Sequence, residues 1–214
     1  LAGCSGGDSS ETTGTQAQTE GQSAAETSGA NEGGTTFTVA LDSDIVALDP
    51  AFAYDFTTNP VVNQITQGLL TFNENNELVP LLASSWEAVD DTTYVYQIRD
   101  DVTFSDGSQM TMDDVMFSIE RTMNPDTASY LLWMFDNVES IEQTGDWELT
   151  VHLIEPSATW QYIFGTTAGH IISKAYYEEH AADFGTAEGG LMGTGPYVFA
   201  SWTSGQEIVL TKNE

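Results

Sequence analysis

The stretch "TYVYQIRDDVTFSDGSQMTMDDVMFSIER" (residues 93–121) changes its hydrophobic pattern halfway along, and that change points to the fold class. "TYVYQIR" and "VTF" read as short strands separated by Asp100 and Asp101, followed by a turn at "SDGS". The next segment carries a helix-start signal. Thr111 can cap the helix, Asp114 stands at its third position, and both Asp113 and Asp114 favour the positive end of a helix dipole. Met112, Val115, Met116, Ile119 and Met123 then recur at helical spacing, which marks a core-facing stripe.

Working outward, "VVNQITQGLL" (61–70) predicts a helix, with Asn59 as its cap and Pro60 in the first turn. "FTVAL" (37–41) alternates at the strand period and marks the expected start of order. On the other side, "WELTVHLI" (147–154) alternates as a strand. "SATWQYIF" predicts a short helix after Pro156, and "SKAYYEEHAADFG" a helix ending at Gly185. "GPYVFASW" and "EIVLTKN" supply two last strands. Strand pairs and separate helices without regular βαβ alternation predict an α+β fold.

Residues 1–36 differ from the rest, being built from Gly, Ser, Thr, Ala, Gln and scattered acids with no Lys or Arg. So little apolar surface cannot offset the entropy of ordering, so a disordered, self-repelling tether is expected. Across all 214 residues, 33 acids face four basic residues (Arg99, Arg121, Lys174 and Lys212), a net charge of -29. Such a field repels phosphate backbones and argues against nucleic-acid binding. No stretch has the 18 or more consecutive apolar residues of a membrane helix, and one cysteine cannot form an internal disulfide.

Motifs for catalysis are lacking in the sequence. His152, His170 and His180 have no partners at metal-ligand spacing, so no metal and no cofactor is expected. The acid pairs 90/91, 113/114 and 178/179 are adjacent in sequence, which says nothing about a catalytic cleft. "GTGPY" lacks the residues of a phosphate-binding loop, and no Gly-x-Ser-x-Gly elbow occurs. These features describe a binder without a catalyst. Its recognition candidates are aromatic: Phe52, Tyr54 and Phe56 beside Asp55, and Tyr130, Trp133, Met134 and Phe135 in "ASYLLWMF".

The run from Leu48-Asp49-Pro50 through Gly68-Leu69-Leu70, Val79-Pro80-Leu81-Leu82-Ala83 with Ser85-Trp86, residues 104–107, Thr111 with Asp114-Val115, Ser118 with Arg121, and Gly193-Thr194-Gly195-Pro196-Tyr197 resembles the family 5 extracellular solute-binding proteins. These are the oligopeptide, dipeptide and nickel-binding lipoproteins or periplasmic proteins of ABC importers. Gln67, Asp101 and Ser105 depart from the common pattern at turns and surfaces.

The resemblance implies a periplasmic-binding-protein-like (class II) lobe with an inserted small domain. Residues 37–66 would open domain I, 67–190 would form the inserted domain II, and 191–214 would return into domain I. Family members are considerably longer, so a second lobe is expected to follow Glu214 and to close over the ligand. Carried over by position, the ligand-binding candidates are Tyr54, Asp55, Phe56 and Tyr130, with Trp133 as a neighbour.

The implied function is capture of short peptides for delivery to the transmembrane subunits of an ABC permease. Alternatives are capture of a nickel chelate or an oligosaccharide on the same fold, a glycoside- or peptide-hydrolysing surface enzyme, or an adhesive surface lipoprotein. Leu1-Ala2-Gly3-Cys4 fits the end of a bacterial lipoprotein signal. Cys4 is then the expected lipidation point, which would anchor the chain outside the cytoplasm on the cell membrane.

Overall fold

A computed structural model describes residues 35–214. Cys4 and all but the last two residues of the expected tether lie outside the described residues. Residues 37–41, expected as the first strand, form none and are exposed. A strand needs a neighbour for its backbone N–H and C=O groups, and none of the described strands pairs with this segment.

The first helix, α1, spans Thr58–Ile65, shifted towards the N-terminus from the expected 61–70. It starts earlier because the Asp55 carboxylate, rather than Asn59, accepts from the backbone N–H groups of Thr57 (2.9 Å) and Thr58 (2.8 Å). It stops earlier because Thr66 is extended, and the following residues are claimed by a sheet. Strand β1 (Gln67–Gly68) pairs antiparallel with residues 170–171, and β2 (Leu70–Phe72) pairs with β3 (Leu78–Pro80).

The central sheet adds β4 (Ala83–Ala88) and β5 (Thr93–Ile98). "VTF", expected as a strand, contributes only a single bridge between Thr103 and Gln109. The Asp106 carboxylate folds the chain back by accepting from the Ser108 N–H and hydroxyl, leaving too short an arm for a ladder. Helix α2 (Met112–Met123) begins as expected. Thr111 Oγ1 accepts from the Asp114 N–H (3.3 Å), and Asp114 Oδ2 accepts from the Thr111 N–H (2.8 Å). Its apolar stripe is core: Met112, Val115 and Ile119 are buried, and Met116 and Met123 pack against them.

Strands β6 (Val138–Gly145) and β7 (Glu148–Leu153) complete the four-stranded antiparallel sheet in the order β4-β5-β7-β6. Tyr96 stands opposite Leu149, and both are fully buried. The expected helix after Pro156 is a 3-10 turn, Trp160–Gly165. Strand β8 (His170–Ile171) leads into α3, which covers only Lys174–Glu179 rather than running to Gly185. Past His180 the chain closes a loop instead, with the Gly185 N–H donating to the Gly190 carbonyl at 2.9 Å. The antiparallel strands β9 (Tyr197–Thr203) and β10 (Glu207–Lys212) end the chain.

Two hydrophobic clusters result. The larger lies between the central sheet and α2 and includes Tyr96, Val115, Ile119, Leu149, Trp160 and Phe164. The smaller gathers Ile45, Leu48, Val62, Ile65, Ile172 and Leu191, with Phe199, Trp202, Ile208 and Leu210 packed on it. None of the helices in the described residues is long and apolar enough to cross a membrane.

An ion pair packs beside the smaller cluster. Arg121, in the last turn of α2, donates from Nη1 to Asp49 Oδ1 (3.0 Å) and from Nη2 to Asp49 Oδ2. Both side chains are nearly buried, at 10% and 5% exposure. The guanidinium also lies 4.6 Å from the centre of the Tyr177 ring and 5.5 Å from that of Phe184. Gly185 closes this site with its backbone at φ +76°, and a Cβ there would meet the Asp49 Cβ at 2.8 Å. Removing one partner strands the other charge, so Asp49→Ala should lower unfolding stability by about 3–5 kcal/mol in urea titration. Asp49→Asn, which retains a hydrogen-bonding side chain, should lose less.

Candidate functional site

The site is built on the segment that the ion pair holds. Asp49 Oδ1 also accepts from the Ala51 N–H (2.9 Å), which starts the 3-10 turn Pro50–Phe52. The Ala51 carbonyl in turn accepts from the Ser129 hydroxyl (2.8 Å) and the Tyr130 N–H (3.1 Å). Two segments far apart in sequence are thereby fixed side by side. The Tyr130 ring meets Phe52 edge-on at 5.4 Å and Tyr54 at 6.4 Å. Further along, the Thr167 hydroxyl donates to the Ala53 carbonyl at 2.9 Å, fixing the segment from its other side.

Tyr54, Asp55 and Phe56 line a cleft of about 280 Å³ together with Asn59 and Pro60. Tyr54 is 67% exposed and Phe56 fully so, although the sequence has ample core for large apolar side chains elsewhere. Asp55 is doubly used, as a wall of the cleft and as the cap of α1. Its partial burial pushes the carboxyl pKa up. The hydrogen bonds from Thr58 and Thr57 outweigh that effect and hold it below its ordinary value. The structure thus brings four of the five sequence candidates together: Tyr54, Asp55 and Phe56 share the cleft, and Tyr130 packs on Tyr54. Trp133 is 61% exposed in the next 3-10 turn and lines neither this cleft nor its neighbour.

That neighbour is larger, about 570 Å³, and Asn59 belongs to both. It runs along the outer face of α1 over Asn63 and Gln64 to Thr66, Gln67 and Gly68, with Phe72, Thr166, Thr167 and His170 opposite. Asn63 Nδ2 donates to Asn59 Oδ1 (2.7 Å), and the Thr194 hydroxyl donates to Gln67 Oε1 (3.0 Å). The end of α1 is pinned from behind by "GTGPY". The Gly195 N–H donates to the Ile65 carbonyl at 2.8 Å, and a Cβ on Gly195 would come within 2.4 Å of the Gln64 carbonyl oxygen.

None of these cleft residues was a candidate from sequence, apart from Asn59 as a helix cap. His170 shows why. Its Nδ1 lies 2.8 Å from the Thr66 hydroxyl, a residue 104 positions away, so no spacing rule could couple them. The protein packed around the half-buried ring pushes its pKa down from 6.5 to about 4. The folded state therefore resists protonation across a range where the unfolded chain takes up a proton. Stability should fall as the pH drops from 6.5 towards 4, on the order of 2–3 kcal/mol from this group. His170→Asn should flatten that part of the curve in unfolding titrations run at stepped pH.

Comparison with known proteins places these clefts in context. Residues 77–214 match the model of the bacterial extracellular solute-binding proteins, family 5 middle region. The glutathione-binding protein GsiB of Pectobacterium atrosepticum is 27% identical over 175 residues, covering 81% of this chain and 34% of that protein. Among solved structures, NikZ from Campylobacter jejuni in complex with Ni(L-His) superposes with a TM-score of 0.69 at 30% identity, over 79% of this chain and 34% of that one. DppA from Helicobacter pylori in complex with the peptide STSA gives 0.72 at 27% identity, over 80% and 38%. The chain spans about a third of the length of the curated relatives it matches. The fold it carries is α+β and forms part of a periplasmic-binding-protein lobe. With more than half of its length matched by the family model, the chain belongs to the bacterial extracellular solute-binding proteins, family 5.

Proposed function

We propose that this chain supplies one wall of the ligand cleft of an ABC importer's binding protein, which captures short peptides outside the cytoplasm and delivers them to the permease. The observation that carries the reading is the pair of adjoining clefts sharing Asn59, with Tyr54 and Phe56 exposed at one end and amides and hydroxyls along the other. Amides and hydroxyls can each satisfy main-chain groups of a peptide without reading its side chains, and open aromatic faces accept varied apolar groups. Relatives named for glutathione and for murein peptide binding support the same solute class. The reading assigns no catalytic residue. The NikZ likeness keeps a small metal chelate as the competing solute.

In this reading residues 37–66 and 191–214 belong to domain I, and 67–190 form an inserted domain II. The larger hydrophobic cluster is drawn from residues 69–171 with Met192, while the smaller joins residues 45–65 and 191–210 to Phe117, Ile172, Tyr177 and Phe184. A second lobe beyond this chain would cover the clefts, and Cys4 would carry the lipid that holds the protein at the membrane.

Native mass spectrometry of the gently purified full-length protein tests the proposal. A ladder of co-purified peptide masses is expected, whereas a protein that stays empty in peptide mixtures overturns it. Phe56 is fully exposed, so Phe56→Ala should leave the unfolding free energy unchanged within about 0.5 kcal/mol. The same substitution should weaken peptide binding roughly tenfold.

A further inference from the structure

We infer that Asp55 makes this wall of the cleft favour cationic over anionic groups on the part of the solute that lies against it. The inference rests on the peptide-capture reading and narrows it.

Charge is scarce where the solute would lie. Among the described residues lining the two clefts, only Asp55 and His170 have ionisable side chains with roles near neutral pH apart from the tyrosine. Asp55, held below its ordinary pKa, is ionised there, and His170, pushed down to about 4, is neutral. The remaining polar lining is amide and hydroxyl.

The cations of the chain are placed elsewhere. Arg121 is bound to Asp49, Arg99 pairs with Asp101 at 2.8 Å, and Lys174 lies 4.0 Å from Asp113. Lys212 ends β10 and lines neither cleft. A helix N-terminus could replace a cation, since its unpaired N–H groups attract anions. At α1 that role is already filled, because Asp55 itself accepts from the Thr57 and Thr58 N–H groups. A ligand carboxylate entering this end would meet a carboxylate in place of a donor. The whole-chain charge of -29 acts in the same direction. Salt screens it over roughly 8 Å at physiological strength, so the local carboxylate dominates there and the global field adds to it at low salt.

The test compares three peptides of one length, carrying net charges of about +2, 0 and −2, by calorimetric titration of the full-length protein at low and physiological salt. The cationic peptide should bind about tenfold or more tightly than the anionic one at low salt, with the gap narrowing as salt rises. Asparagine can also cap a helix, so Asp55→Asn should keep the unfolding midpoint, and its three affinities are compared as ratios within the variant. It should reduce the preference for the cationic peptide about fivefold. Equal or tighter binding of the anionic peptide, or an unchanged preference in Asp55→Asn, overturns the inference while leaving peptide capture intact. A protein that binds none of the three overturns both.

Discussion

The Asp49–Arg121 pair is the constraint on which the rest of the structure depends. It joins the end of α2, whose inner face belongs to the larger hydrophobic cluster, to the loop that opens the smaller one. Buried ion pairs add little net stability, because desolvation offsets much of the attraction. Their effect is geometric. A bidentate guanidinium accepts a carboxylate in one orientation, so α2 dictates how residues 50–56 leave Asp49. From that point Ala51 receives Ser129 and Tyr130, Ala53 receives Thr167, and the wall of the cleft follows.

The same economy recurs at Asp114 and Asp55. Asp114 completes the capping box of α2 with one oxygen and accepts from the Lys174 N–H at 2.8 Å with the other, tying the starts of α2 and α3 together. Asp55 caps α1 and faces the cleft. In a chain with 33 acids, several carboxylates thus act as joints rather than as solvated surface. Short-range donors hold them: Asp44 gathers the Trp202 indole, the Ser204 hydroxyl and the Gly205 N–H, and binds the β9–β10 turn to the segment before α1.

Local signals in the sequence were legible where local physics decides. Thr111 and Asp114 announced α2, its Met-rich stripe announced a core face, alternation located β7, and β9 and β10 lie where two last strands were expected. Boundaries failed where distant partners intervened. Gln67–Gly68 left the helical pattern because β8, about a hundred residues later, pairs with it. Residues 37–41 alternate like a strand, yet no described strand takes them up. Of the candidate site, Tyr54–Phe56 and Tyr130 stood out as aromatic stretches and by resemblance; the fold puts the first three on one cleft and packs Tyr130 on Tyr54. Asn63, Thr66, Gln67 and His170 carried no signal because ordinary amides, hydroxyls and one imidazole become a surface only when folding collects them.

The Thr66 hydroxyl has one hydrogen and two acceptors within reach, the Val62 carbonyl at 3.1 Å and His170 Nδ1 at 2.8 Å. When the hydrogen goes to Val62, the imidazole must carry its own proton on Nδ1, and its other nitrogen is a lone-pair acceptor. When it goes to Nδ1, the other nitrogen becomes an N–H donor. The hydroxyl rotamer therefore matches one or the other tautomer of a neutral ring, and the exchange is completed when solvent takes the proton from one nitrogen and returns one to the other. The cleft gains a group that can answer either a carbonyl or an amide hydrogen of a solute without any change of charge.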